Sequence, residues 1–340
     1  NQIALHVMGQ FSLGTQLIHV DTTNFSVSGK YENDAPDATD SIRIAFGHAK
    51  DGRTDLKRFV LGLVTNQVGL PLFTKAFSGN ESDKNSIIYM IRKAQHSLDF
   101  DDKAYWVADS AMYTENNIVL LGTDTKWITH VPATVGDIDK LLNADLDFSP
   151  STDPRYAFHV TDLYYAGILQ RVVVVWSEEM KTRNEQTFER MLQKETVKAE
   201  KELKKLMGKK FACVPDAENE AKIWSSKLPY HDLKDIQIIP VTEKVEKRRG
   251  RPKKNEPINQ RFKIEGRIEI CEDVLAEESK RFGRFVLASN DVNLDPELML
   301  KYYKGQQTVE HGFRFLKDKC FHVSEVYLKK EERIEALCMI

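Results

Sequence analysis

Apolar positions along the first third of the chain change rhythm several times, and each change marks an element. Leu17-Ile18-His19-Val20 runs apolar into Asp21, then Phe25 and Val27 alternate with polar neighbours, which predicts a strand over 17–29. Gly29 and the polar stretch Lys30–Asp40 read as a loop, and Ile42–Phe46 as a second strand. Asp51-Gly52 signals a turn. Phe59–Thr65 is nearly all apolar, as expected of a central strand. Glu81–His96 places Ile87, Ile88, Ile91 and Ala94 on one helical face. A further strand, Ala104–Ala108, ends at Asp109. Consecutive strands, then a helix, then a strand predict a mixed sheet: an antiparallel meander with a crossover to one more strand.

Beyond this, Ile118–Leu121 and Gln170–Trp176 read as strands. Glu178–Met207 reads as a long amphipathic helix, with Phe188, Met191, Leu192, Ala199, Leu203 and Leu206 along one stripe. Ile236–Ile239 is a short strand, Lys244–Glu256 a charged linker, and Arg261–Ile270 alternates again. Phe285–Ala288 returns to the core. Asp295-Pro296 then opens a helical pattern that runs to Lys317. The whole predicts an α/β fold, a mixed sheet flanked by helices and interrupted by a large inserted domain with strands and a long helix. Its boundaries are expected at 1–125 for the first part of the core, 126–280 for the insertion and 281–340 for the second part.

At 340 residues the chain can build one core plus such an insertion. No apolar run approaches the roughly 20 residues that span a bilayer, so no membrane partner is expected. The start lacks Met and a signal pattern, and the last residues stop inside a helical pattern, so both ends are expected to be truncated. Cys213, Cys271, Cys320 and Cys338 form no CxxC pair, which argues against a zinc or disulfide framework and fits a reducing compartment. The net charge of −2 conceals a gradient. Residues 178–254 hold 20 Lys and Arg against 14 Asp and Glu, so this stretch is +6 and the remainder −8.

Three carboxylates carry the candidate chemistry: Asp21 and Asp109, each ending an apolar run, and Glu310 within the last helical pattern. Two strand ends and one helix can bring three acids to one point, and an all-oxygen cradle suits two hard cations in phosphoryl transfer. Singly, each acid reads as readily as a turn, cap or solvated residue. The pairing of two acids at the edge of a buried sheet favours the joint reading.

The run Tyr303-x2-Gln306-x3-Glu310-x6-Lys317 resembles the Tyr/Arg/Glu/Lys signature of DDE transposases of the insertion-sequence-four superfamily, with Gln306 where that signature has Arg. The blocks His19–Phe25, Gly47–Arg53, Trp106–Ser110 and Val309–Arg314 are similar to the same group. The resemblance implies an RNase H-like core with Asp21, Asp109 and Glu310 holding two Mg²⁺ (or Mn²⁺) ions. It further implies cleavage at insertion-sequence ends and attack of the freed 3′-hydroxyl on target DNA. The implied partners are the terminal inverted repeats, the target DNA and a second copy of the chain, in a prokaryotic cytoplasm. It gives Lys317 a phosphate contact and Tyr303 a place near the terminal nucleotide. Lys317, seven residues past Glu310, is expected on the same helical face. Relatives carry a largely β insertion in the place of the 201-position span between Asp109 and Glu310.

Within that span, Arg249-Gly250-Arg251-Pro252-Lys253-Lys254 looks like an AT-hook core, whose arginines enter a narrow minor groove; a solvated linker fits it equally well. Lys50, Arg53, Lys57 and Arg58 form a second basic cluster, open as a DNA contact or an exposed turn. Trp127 and Trp176 could stack a flipped base, although strand aromatics are more often core. No phosphate-binding glycine loop is present, so ATP use is not expected. Two rivals remain at this point: a catalytically inactive DNA-binding protein derived from a transposase, and a metal nuclease acting on branched DNA or RNA.

Overall fold

The computed structural model describes residues 2–29, 42–48, 52–98, 100, 103–243, 259–318 and 331–339. The chain divides into two compact units. The larger comprises 1–142, 146–176 and 285–340, the smaller 143–145 and 177–284.

In the larger unit a first helix, α1 (Gln2–Phe11), precedes three long strands, β1 (Leu17–Val27), β2 (Lys57–Asn66) and β3 (Pro71–Ser78). Both neighbouring pairs are antiparallel. Helix α2 (Asp83–Ser97) then crosses over to β4 (Tyr105–Ala108), which runs parallel to β1. After α3 (Glu115–Leu121), β5 (Lys126–His130) pairs parallel with β4. The chain continues through α4 (Gly136–Asn143), β6 (Ser149–Pro150), β7 (Tyr156–Tyr165) and β8 (Ile168–Ser177). The smaller unit carries α5 (Glu178–Gly208), α6 (Val214–Ser225), β9 (His231–Glu243), β10 (Asn259–Ile270) and α7 (Glu272–Lys280). Strand β11 (Arg284–Ser289) then precedes α8 (Pro296–Lys304), α9 (Gln307–Leu316) and α10 (Glu331–Met339). The nine-stranded sheet has the order β3-β2-β1-β4-β5-β11-β8-β7-β6. Residues 126–176, read from sequence as part of the insertion, thus supply β5 to β8 of this sheet.

Alternation along β1 divides the sheet into two faces. Ile18 and Val20 point into a core with Ile87, Met90 and Ile91 of α2, together with Trp106 and Trp127. Gly62 lets α2 approach here, since a Cβ on it would stand 2.9 Å from the Met90 sulfur. On the other face Phe25, Phe59, Leu61 and Leu63 pack under Val309 and Phe313 of α9, joined by Ile334 of α10. Further along, Val107, Ile128 and Leu287 pack under Met299 and Leu300 of α8.

Three sequence expectations are corrected. Ile118–Leu121 is helix, not strand. Thr114 caps it by accepting the Asn117 N–H at 3.3 Å, and Ile118 and Leu121 are buried while Val119 and Leu120 are exposed, the i, i+3 spacing of a helix. Ile42–Phe46 forms only an isolated bridge, Ala45 with Arg58. The pattern from Pro296 to Lys317 is two helices, because the chain tightens at Gly305-Gln306.

The smaller unit has its own core: Leu203 and Leu206 of α5, Ala217 and Ala221 of α6, and Leu233 and Ile264 of a two-stranded antiparallel ribbon. The short strand expected at Ile236–Ile239 is the middle of the longer β9.

Candidate functional site

Asp21 and Asp109 reach the same sheet face by register. On parallel β1 and β4, Val20 pairs with Ala108, so the two acids are the next residues on strands about 4.8 Å apart. Asp21 shares its parity with His19, Thr23 and Phe25, which meet α9 and the turn before it. Asp109 shares its parity with Tyr105 and Val107, which pack under α8. Glu310 stands in the first turn of α9, exposed, next to the buried Val309 that anchors the helix. That placement suits a carboxylate, since a helix N-terminus favours negative charge.

The charges of the three carboxylates all bear on Tyr303. Its hydroxyl is pushed up to about 12, first by burial and then by the charges of Asp109, Glu310 and Asp21. Acids from three distant places in the sequence therefore act on one phenol. Tyr303, near the end of α8, packs against the core beneath that helix and stacks on His130 with ring centroids 6.4 Å apart. His130 follows Thr129, the partner of Ala108 in β5, and its pKa is lowered by burial.

Each strand acid is held from within its own segment. One Asp21 oxygen accepts the Thr22 N–H at 2.7 Å. Asp109 caps a single 3-10 turn, Ser110–Met112, by accepting the Ala111 N–H at 3.0 Å, while its carbonyl accepts the Thr129 hydroxyl at 2.7 Å. Asp109 is thus a capping residue, as one reading of the sequence has it. All three donors are carboxylate oxygens, the chemistry a hard divalent cation prefers. Among the described residues, no three His, Cys, Asp or Glu side chains are gathered closely enough to hold one ion.

Lys317 closes α9 and turns back toward β1. Its ammonium donates to Thr23 Oγ1 at 2.6 Å and lies 5.6 Å from the centre of the Phe25 ring, two and four residues beyond Asp21 on the acid face. Arg249, Arg251, Lys253 and Lys254 fall outside the described residues, as does Lys50. Of the other basic positions, Arg58 is fully buried. Its guanidinium donates to the carbonyls of His48 (3.0 Å), Arg53 (2.7 Å) and Leu56 (3.2 Å), so it shapes the loop and does not face solvent. Trp127 is likewise fully buried, which excludes it as a base-stacking platform.

Sequence reasoning missed two parts of the site. His19 Nδ1 lies 3.2 Å from Gln306 Oε1, and burial holds the His19 pKa down at about 4 against the raising effect of that bond. The only hint was a Gly-Gln pair inside a helical pattern, a known place for kinks. Arg314 lies one turn beyond Glu310, at the i, i+4 spacing that shares a face, and is exposed.

The family profile described as "Transposase DDE domain" matches residues 13–340. No curated protein matches the chain. A solved structure described as "Mos1 transposase paired-end complex with left transposon end" is similar over 38% of this chain and 38% of that one. The identity is 13% and the TM-score 0.23, too slight a likeness to support any reading here.

Proposed function

The chain belongs to the family of DDE transposases, and from that premise we propose that it cuts DNA at the ends of a mobile element and joins the freed 3′-hydroxyl to target DNA. Asp21, Asp109 and Glu310 hold two Mg²⁺ or Mn²⁺ ions in this reading. The observation that carries it is the register of β1 and β4, which sets Asp21 and Asp109 side by side on one sheet face, with α9, the helix of Glu310, packed over that face through Val309 and Phe313. The antiparallel β1-β2-β3 meander, followed by a helical crossover to the parallel β4, supports an RNase H-like core. The signature spacing supports the insertion-sequence-four group. We read the unit at 177–284 as the insertion between the second and third acids. DNA is the partner, two copies of the chain bring two ends together, and the prokaryotic cytoplasm is the place of action. Among the described residues no helix is long and apolar enough to cross a membrane.

When bound, the ions activate the attacking oxygen and stabilise the leaving one. The protein's own residues set the stage for this. Asp21 and Asp109 are held by neighbouring backbone bonds, and α9, packed over β1 and β2, carries Glu310 on a separate element. Lys317, held on the acid face by Thr23, is placed to meet a phosphate, and Arg314 adds a second cation beside Glu310. Tyr303, protonated at neutral pH, packs against the terminal nucleotide. Its hydroxyl donates a hydrogen bond and adds no charge to the three already there.

The test is a calorimetric titration of Mn²⁺ into the wild type and into Asp21→Asn, Asp109→Asn and Glu310→Gln. Saturable binding that weakens in all three variants is expected. Binding indifferent to every substitution would favour the inactive DNA-binding protein.

The basic segment makes a separate prediction. Replacing Arg249 and Arg251 with alanine should lower the slope of log affinity against log salt by about 2, at roughly 0.9 per phosphate contact. Fluorescence anisotropy on duplex DNA over a KCl series measures this, and an unchanged slope would make the segment a linker.

A further inference from the structure

Gln306 stands where the signature has arginine, and its surroundings give it a different task. It is 7% exposed. Its amide nitrogen donates to the Val20 carbonyl at 2.9 Å and its amide oxygen faces His19 Nδ1 at 3.2 Å. Both partners belong to β1, and Val20 immediately precedes Asp21. Because the Gln306 nitrogen is committed to a carbonyl, its oxygen must accept, which makes His19 the Nδ1–H tautomer. His19 Nε2 is buried with no hydrogen-bond partner among the described residues. It is sealed by the turn itself: a Cβ on Gly305 would stand 2.7 Å from both Cε1 and Nε2 of the His19 ring.

The same turn sets the place of the third acid. Gln306 N–H donates to the Tyr303 carbonyl at 3.0 Å, and the Gln306 carbonyl accepts from Val309 at 3.1 Å and Glu310 at 3.4 Å. Tyr303, Gln306 and Glu310 are thus three consecutive landings of one tightened backbone, and the middle one is fastened to β1. We propose that Gln306 is a positioning residue for Glu310, a latch that holds the turn between α8 and α9 against β1 so that the third carboxylate faces Asp21 and Asp109. This rests on the reading of those acids given above. An arginine here would bury a cation and would force the other His19 tautomer, with Nδ1 accepting, so it would hold the turn differently.

The test uses Mn²⁺-dependent nicking of supercoiled plasmid DNA, with duplex affinity and thermal melting measured alongside. Gln306→Met keeps the side-chain length and loses both hydrogen bonds. It is expected to nick about 10- to 100-fold more slowly, as displaced supporting residues do, with the loss in kcat and duplex affinity unchanged. His19→Leu should show the same loss, and His19→Asn, whose amide can donate to Gln306, should recover most of it. A Gln306→Met protein that nicks at the wild-type rate overturns the latch. If that variant does not fold, equal rates for His19→Leu and His19→Asn overturn it instead. A Glu310→Gln protein that still nicks, or a wild type that does not, overturns the assignment of the acids and the latch with it.

Discussion

Replacing Glu310 with alanine is expected to abolish strand cleavage, by at least about 10³-fold, while fold and DNA affinity survive. The two halves of this expectation have different causes. Glu310 is exposed in the first turn of α9, and the residues that hold the helix down are its neighbours Val309 and Phe313. Losing a favourable charge at a helix N-terminus costs about 0.3–1 kcal/mol, and the helix preference of alanine offsets part of that. The melting temperature should therefore move by a few degrees at most. Removing one negative charge from a surface that meets phosphates leaves binding equal or slightly tighter. Cleavage has no such substitute, since the third carboxylate has no equivalent on α9. Gel-based nicking assays beside a thermal melt measure both halves, and undiminished cleavage would remove Glu310 from the site.

The second large effect concerns stability. Trp127→Ala should cost about 3–5 kcal/mol, in the range for large aromatics deleted from cores. Its side chain is fully buried, pairs in register with Trp106 on the neighbouring strand, and meets Tyr113 edge-on at 6.3 Å. Domains of this kind are stable by only 5–15 kcal/mol or so, and the loss should appear as a lower urea midpoint with an unchanged slope. A cost under about 1 kcal/mol would mean that the site collapses around the deletion far better than its packing implies.

Periodicity made the strands into Asp21 and Asp109 legible, because each couples an apolar run to an abrupt polar stop. The capping signal Asp295-Pro296 was equally plain: Asp295 accepts from both Glu297 N–H (3.0 Å) and Leu298 N–H (3.2 Å). What stayed hidden depends on contacts that the period of a single segment does not report. Ile118–Leu121 offers four apolar residues in a row, and only the buried neighbours of Ile118 and Leu121 decide that the run is a helix. Arg58 reads as one more surface cation until three carbonyls of its own loop are seen around it. Gln306 reads as a lost arginine because its value lies in His19, 287 positions earlier.

The choice of an arginine at position 58 also fixes how the loop above it responds to its medium. A guanidinium stays protonated at any pH a cell experiences. Three of its bonds run to backbone carbonyls, which do not titrate. Histidine in its place would lose its charge as pH rises, and lysine would lack the planar fork that reaches three carbonyls at once. The carbonyls of His48, Arg53 and Leu56 are therefore held by a cation that does not titrate, so a change of pH that alters DNA binding would leave these three contacts in place.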